Sequence, residues 1–467
     1  MRSRPTLIIT ACLTLCGLTF ADTTHTPTYV RGIEIYGNVT TRPEILKHLI
    51  AFDTGEVLDT SKLRLTRANL LATQLYDKVD IFPHMREDGA HVFIILKESA
   101  RLQLGYGGEY STRKYGQKEI WYRFQFDAGI GNFGGRMEEF WFGASLWDYR
   151  SLDVSWYKPF LPSPYYVSAS AGAAAYPSDM LPLDYTDVYA RVAVGRKAGR
   201  RARVYVSATP TYRHRTIAGA FGEPGPESGP VQGPGAGVES LIPFLSERDF
   251  YEAFGAAGVA VDYRTSRFDP RGGWMYVSQV STNRLYRGVN VPYFQLAGEF
   301  RRYWAFGADV ASLRLLLTAR DRDAGAYHRL TYGGAGEVRG YATDALGWDF
   351  VANSALLASL KYHKRLVTSP QAPFPLLGAL FMGPRDLSLR VDAAFIADYA
   401  LLKRGPADIL LFRGPSQDGV GIGFGTRIMI PEIRQSGCID LVFGRVDQPD
   451  GGFSWEPALH IYLDMFF

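Results

Sequence analysis

The chain has 467 residues, 46% hydrophobic and 14% aromatic, with 49 glycines and a formal net charge of +4. That length exceeds one ordinary soluble domain, so two domains, or one domain with a barrel, is the starting expectation. The small positive charge is spread along the chain rather than clustered, which gives no ground for a nucleic-acid partner. Such an aromatic content beside so many glycines suits a barrel, with its girdles and tight turns, better than a water-soluble enzyme.

Arg2 and Arg4 form a positive n-region, Leu7 to Phe20 an apolar stretch, and Thr19-Phe20-Ala21 a small-residue cleavage site. Residues 1–21 therefore read as a secretory signal peptide. The apolar stretch, about 14 residues, falls short of the roughly 20 that a spanning helix needs. Ile9-Thr10-Ala11-Cys12 is similar to a lipobox, but the apolar stretch before it is too short for one. Cys12 and Cys16 lie inside the signal, which leaves Cys438; neither an intrachain disulfide framework nor a cysteine metal cluster is expected. Beyond the signal no apolar run approaches roughly 18 residues, so any membrane insertion must use strands.

Residues 29–98 read as a small α+β module. Tyr29 to Asn38 alternates as a strand, with Val30, Ile33 and Ile35 apolar, and closes at Gly37-Asn38. Thr41-Arg42-Pro43-Glu44 has the pattern of a helix start, with Thr41 as N-cap and Glu44 closing a capping box. A second helix is predicted from about Ser61 to Tyr76 on the spacing of Leu63, Leu70, Leu71 and Leu75. Two strands follow, Lys78 to Arg86 and His91 to Lys97, joined by the hairpin dipeptide Asp88-Gly89. The β-α-α-β-β order, with V-R-G-I-E-I-Y-G-N (30–38), T-G-E-V-L-D (54–59) and L-Y-D-K-V (75–79), resembles a POTRA repeat. The resemblance implies capture of an extended client at an exposed sheet edge through backbone hydrogen bonds.

From Ala100 to Phe467 the period changes to two. In Val420-Gly421-Ile422-Gly423-Phe424-Gly425-Thr426 large residues take one face and glycine the other. Ile439, Leu441 and Phe443 alternate with Asp440, Val442 and Gly444, and Leu387, Leu389 and Val391 with Ser388, Arg390 and Asp392. Leu459, Ile461, Leu463, Met465 and Phe467 alternate with His460, Tyr462, Asp464 and Phe466. One apolar and one polar or small face is what lipid outside and water inside require, and hydrocarbon tolerates no open sheet edge. A secreted β-sandwich would bury its apolar faces against each other and needs no girdles such as Trp121-Tyr122 and Phe140-Trp141-Phe142. The expected fold is therefore the α+β module followed by a transmembrane antiparallel β-barrel of about 16 strands. Gly219 to Leu245, rich in Gly and Pro, reads as a long external loop. The terminal aromatic Phe467 resembles the C-terminal signal by which outer-membrane barrels are recognised during assembly.

Three further stretches carry candidate functional residues. Val259, Val261 and Tyr263 face one way, so Asp262 and Arg264 face the lumen together, ahead of the turn Asp269-Pro270-Arg271-Gly272-Gly273-Trp274. A paired acid and base avoids isolated charge at membrane depth. The glycine-rich run from Gly333 to Tyr341 is no phosphate loop, because no Lys-Ser/Thr pair or strand-to-helix context accompanies it. Asp392, within Leu389-Arg390-Val391-Asp392-Ala393-Ala394, is predicted to point into the lumen.

Together these resemble the superfamily of outer-membrane insertases and two-partner secretion transporters, the bacterial surface antigen family that includes the central barrels of the BAM and TAM machines. Val338-Arg339-Gly340-Tyr341 is similar to its signature on the sixth external loop. The resemblance implies that this loop folds back into the barrel and that its arginine meets an acid on a neighbouring inner wall. Carried over, Arg339 pairs with Asp392, and the inward glycines 421, 423 and 425 leave room for the loop. Gly134-Gly135-Arg136 and Gly423-Phe424-Gly425 also fall where the family has glycine-rich strand positions. The chain departs from the family where a Glu-x-Arg is usual, having Ser359-Leu360-Lys361-Tyr362 instead, and one POTRA is evident rather than several.

No H-E-x-x-H, G-x-S-x-G or Cys-His constellation appears, so no catalytic residue, cofactor or metal is expected and the protein reads as non-enzymatic. The resemblance implies a periplasmic POTRA that captures unfolded outer-membrane or secreted clients, with periplasmic accessory proteins and the lipid bilayer as further partners. A seam between the first barrel strand (about Arg101 to Glu109) and the last (Leu459 to Phe467) would open laterally, eased by Gly105, Gly107 and Gly108. Secretion of a passenger through the lumen is the nearest variant. A passive diffusion porin or a structural barrel is the alternative of a different class.

Overall fold

A computed structural model describes residues 27–465 apart from 74, 99–100, 112–120, 148, 161–162, 178–182, 199–200, 218–248, 266–268, 286–291, 322–329, 331, 333–336, 342–351, 370–371, 374–385, 405–414, 431–434 and 448–451. The expected signal peptide (1–21), the Gly/Pro-rich loop (219–245) and Phe467 lie outside the described residues. The chain divides into two compact units, one of Met1–Val39 with Leu49–Ser99 and the other of Thr40–His48 with Ala100–Phe467.

The N-terminal region has the predicted order of elements: β1 (Val30–Tyr36), α1 (Pro43–Leu49), α2 (Thr60–Ala72), β2 (Tyr76–Arg86) and β3 (Gly89–Glu98). Helix α2 begins one residue before the predicted start, where Asp59 caps it, and ends four residues early, because Tyr76 already begins β2. The Asp59 carboxylate accepts from the Ser61 backbone N–H at 2.7 Å. Those Ser61 hydrogen bonds hold the Asp59 carboxyl below its ordinary value. The sheet order is β1-β3-β2, with β1 parallel to β3 and β2 antiparallel to it. Val30, Leu49, Phe52, Leu70, Val79, Val92, Ile94 and Leu96 bury its core. Thr66 is buried too, and its hydroxyl accepts from the Ala51 N–H at 2.9 Å. The opposite face of the sheet leaves Tyr36, Phe82 and Ile95 exposed.

Among the described residues the second unit is a closed barrel of sixteen strands. Its first eight are β4 (Leu102–Ser111), β5 (Trp121–Phe133), β6 (Glu138–Trp147), β7 (Arg150–Pro159), β8 (Tyr165–Pro177), β9 (Leu183–Ala198), β10 (Ala202–Ile217) and β11 (Asp249–Asp262). Next come β12 (Gly273–Leu285), β13 (Phe294–Phe306), β14 (Asp309–Arg320) and β15 (Ser354–Thr368). The short β16 (Ala372–Pro373) and β17 (Asp386–Leu387) pair with each other outside the barrel sheet. The barrel resumes with β18 (Arg390–Lys403), β19 (Ser416–Ile430), β20 (Gln435–Asp447) and β21 (Phe453–Met465), and β21 returns to β4. Each strand is antiparallel to its neighbours, so the chain runs up and down from a proximal rim, where β4 begins, to a distal rim.

Alternation assigns the two faces. Val204, Val206, Leu296, Phe395, Ile422, Phe424 and Ile439 are exposed on the outside. Asp398, Gly421 and Gly444 stand opposite one another in register across β18, β19 and β20 and share the inside. No helix among the described residues is long and apolar enough to cross a membrane.

Three predicted details differ. Trp141 is not part of an outer girdle with Phe140 and Phe142. It pairs in register with Gly129 on the inner face, and a Cβ on Gly129 would collide with its ring. Consecutive strand residues must face opposite ways, so three adjacent aromatics cannot all meet lipid. Gly134 and Gly135 are not strand positions but the turn between β5 and β6, with φ of 60° and 75°. Such φ values suit glycine and end a strand. That turn is held within the second unit by segment 40–48: the Arg42 N–H donates to the Gly135 carbonyl (3.1 Å) and Asn132 Nδ2 to Thr41 Oγ1 (2.8 Å). Finally, Leu387 does not continue into β18, which begins at Arg390.

The ladder is uneven. β18 and β19 register from Arg390↔Met429 to Lys403↔Ser416, and β20 and β21 from Gln435↔Met465 to Asp447↔Phe453. Among the described residues, β21 and β4 register only at His460↔Ser111, Ile461↔Tyr110 and Tyr462↔Glu109.

Candidate functional site

The connection from β14 to β15 brings Val338-Arg339-Gly340-Tyr341 inside the barrel. Val338, Arg339 and Tyr341 are all buried, Arg339 to 2% exposure. Leu330, Tyr332, Val338 and Tyr341 pack with Ala355, Leu357, Ala400 and Leu402, which are inward residues of β15 and β18. An arm carrying its own apolar side chains can therefore settle on an apolar patch of inner wall, and the burial stabilises the folded-in position.

Arg339 is fixed by a fork. Its Nε and Nη2 donate to the two Asp398 oxygens at 2.8 and 2.6 Å, and its backbone N–H donates to the same carboxylate at 3.0 Å. Nη2 also donates to Ser359 Oγ at 2.9 Å, while the Ser359 hydroxyl donates to Asp398 at 2.6 Å. Asp440 on β20 lies 3.5 Å from Nη1. A bidentate arginine–carboxylate contact sets orientation as well as charge balance. Removal of either partner would break a buried, hydrogen-bonded ion pair, at a cost of about 3–5 kcal/mol.

Glycine makes the approach possible. A Cβ on Gly421 would collide with the Arg339 carbonyl oxygen, and one on Gly425 with the Asp440 carboxylate. Gly340 has φ +95°, and a Cβ there would meet the Gly444 backbone at 2.8 Å. The Tyr341 hydroxyl closes the arm against β19 and β20, donating to the Arg445 carbonyl (2.5 Å) and accepting from the Val420 N–H (3.0 Å).

The expected Arg339–Asp392 pair is not the one formed. Asp392 instead meets Arg390 at 2.8 Å, with Arg365 at 3.7 Å. Arg390 also forks onto Asp269, at 2.5 and 3.0 Å, so the Asp269-Pro270-Arg271 turn folds against the proximal end of the inner wall. Asp392 and Asp398 both occupy even positions of β18 and face inward. Alternation identifies the face but not the depth, and six residues correspond to roughly 20 Å along a strand. The glycine run would have served as the ruler: Asp398 lies opposite Gly421, whereas Asp392 lies opposite Arg427. That register depends on the β18–β19 connection, whose length carries no sequence rule. Ser359, noted only as a departure from the family's acidic pattern, supplies the neutral hydroxyl beside the guanidinium, and the carboxylates come from Asp398 and Asp440.

Asp262 and Arg264 do lie together. Arg264 Nε and Nη2 donate to the Asp262 oxygens at 3.0 and 2.8 Å, at the proximal end of β11. Among the described residues no three potential ligands gather into a metal site.

The Omp85 superfamily domain matches residues 132–382. No curated protein matches the chain in sequence. Among solved structures, BamA from Haemophilus ducreyi lacking POTRA domains 1–3 superposes with a TM-score of 0.57 at 15% identity, over 93% of this chain and 84% of that one. CdiB from Acinetobacter baumannii gives 0.55 at 13% identity, over 94% and 74% of the two chains. CdiB from Escherichia coli gives 0.52 at 11% identity, over 97% and 92%. At such identities the likeness is one of fold.

Proposed function

The chain belongs to the Omp85 superfamily, and from that premise we propose that it inserts polypeptides into the outer membrane, or passes them across it, through a barrel that opens laterally between β4 and β21. The bacterial outer membrane as its location follows from the membership. The observation that carries the gate is the seam itself. Tyr106, Gly107 and Gly108 of β4 are registered with β5, and Leu463, Asp464 and Met465 of β21 with β20, yet among the described residues β4 and β21 register with each other only at His460, Ile461 and Tyr462. Strand edges in hydrocarbon are stable only when paired, so the shortest ladder is the one that parts at least cost.

In this reading residues 29–98 are a POTRA domain in the periplasm. β2 is an outer edge of its sheet, with no neighbouring strand beyond it among the described residues. An extended client adds there through backbone hydrogen bonds, and its side chains meet the apolar face around Phe82 and Ile95. The arm bearing Arg339 stays inside the barrel as a brace on β15, β18, β19 and β20, one strand short of the seam. A diffusion porin has no use for an arm held across its lumen by a buried ion pair. The proposed function calls for no enzymatic chemistry, since the site acts by holding a loop in place.

Depletion followed by quantitation of the outer-membrane and secreted proteomes tests the reading. Broad loss of barrel proteins supports an insertase, and loss of one exported protein supports a transporter. An unchanged proteome refutes both and leaves a structural barrel.

A further inference from the structure

A charge on the lipid-facing wall of a barrel is costly at the bilayer midplane and tolerable near a rim. Arg302 sits on that wall, near the proximal end of β13, between Phe300 and Trp304 on the same face. It stands directly opposite Trp274 of β12 and Leu313 of β14. Arg264, Arg339 and Arg390 all have carboxylates. Arg302 has none within ion-pair distance among the described residues, and its guanidinium lies 5.9 Å from the centre of the Trp304 ring.

These residues enclose an open groove of about 400 Å³, lined by Trp274, Phe300, Arg302, Trp304 and Leu313. Its aromatic wall continues toward the rim. The Tyr263 ring stacks on Trp274 with centroids 4.8 Å apart, and Arg201, in the β9–β10 turn, lies 4.7 Å over Tyr263. Arg201 likewise has no carboxylate partner among the described residues. The neighbouring acid, Asp262, faces inward and is held by Arg264.

We propose that this groove binds an anionic glycerophospholipid. One acyl chain lies along Trp274, Phe300 and Leu313, and the phosphate accepts hydrogen bonds from the Arg302 fork. Arg201 adds positive potential at the rim. The occupant is a lipid because the groove opens onto the bilayer. It is an anionic one because Arg302 lines it, and Arg201 stands at the rim beside it, with no protein carboxylate in ion-pair range among the described residues, whereas a zwitterionic lipid carries its own ammonium group to its phosphate. A guanidinium fork matches phosphate oxygens in pairs, and tryptophan favours the interfacial depth at which a headgroup meets its chains.

The full-length chain, folded into phosphatidylcholine vesicles, allows the test. A minor fraction of lipid is replaced by phosphatidylglycerol brominated on its acyl chains, or by equally brominated phosphatidylcholine, and quenching of tryptophan fluorescence is compared. The expected preference is about fivefold in relative binding constant for phosphatidylglycerol. R302Q should bring that preference close to unity, R302K should retain most of it, and W274F should remove most of the selective quenching. Folding of each variant is checked by its heat-dependent gel migration. Equal quenching of the wild-type chain by the two brominated lipids overturns the proposal. So does a preference that survives the combined R302Q and R201Q substitutions.

Discussion

The hairpin β18–β19 and the seam β21–β4 belong to one continuous sheet yet are built to opposite ends. The hairpin is registered over the full span of both strands, its inner glycines receive the arm, and Asp398 anchors the arm's arginine. The seam is registered at three residue pairs among the described residues. The contrast teaches that closure and bracing are separable: β15, β18, β19 and β20 carry the ion pair and the packed arm, while the seam carries only the proposed gate.

The largest expected effect is on the braced wall. Asp398→Ala removes the forked partner of the buried Arg339 guanidinium and should cost about 3–5 kcal/mol of barrel stability, read as a lower Tm or a lower urea midpoint. A double-mutant cycle sharpens the comparison. Arg339 and Asp398 should couple strongly, with part of the loss recovered when the two charges are exchanged. Arg339 and Asp392 should show additive effects, since roughly 20 Å of strand separates the two acids. Coupling of Arg339 to Asp392 instead of Asp398 would break the account of the arm.

A smaller effect is expected at Gly421. Replacement by alanine places a methyl group where the Arg339 carbonyl oxygen lies, and overpacking of this kind costs about 1–3 kcal/mol. The arm should loosen without loss of the barrel, which limited proteolysis of the β14–β15 connection would register.

The smallest effect lies outside the barrel. Asp59→Ala removes the cap of α2 and should lower the Tm of the N-terminal region slightly. The sign with pH follows from the direction of the Asp59 shift. Its folded carboxyl is held below the ordinary value, so its contribution is present above the unfolded carboxylate range and fades as pH falls through the lowered value. A Tm difference between wild type and variant that grows on acidification would contradict the cap.

What the sequence makes legible follows from period and parity. The change from helical spacing to a period of two marks where the barrel strands begin, at Leu102, and parity alone puts Asp262 and Arg264 on one inner face beside outward Tyr263. The same parity places Asp392 and Asp398 on the inner wall but cannot rank their depth, because depth depends on hairpin lengths and strand stagger. Parity also speaks against grouping Trp141 with Phe140 and Phe142, a reading that weighed composition above alternation. Gly134 and Gly135 mislead for a related reason: glycine serves both as an inward spacer in a strand and as a left-handed turn residue, and only φ distinguishes them. Arg302 carries no signal in the sequence, because a single arginine among apolar residues reads as ordinary until its outward face is known.

The claim that the β21–β4 seam opens is tested most directly by locking it. In a chain with Cys438→Ala, the substitutions Tyr110→Cys and Ile461→Cys place thiols at a registered pair of the seam. Phe395→Cys with Phe424→Cys provides the control lock on the braced wall. Complementation of a depleted strain should fail with the oxidised seam lock, return on reduction, and be unaffected by the control. Full complementation by a chain whose seam disulfide is shown to be formed would contradict lateral opening.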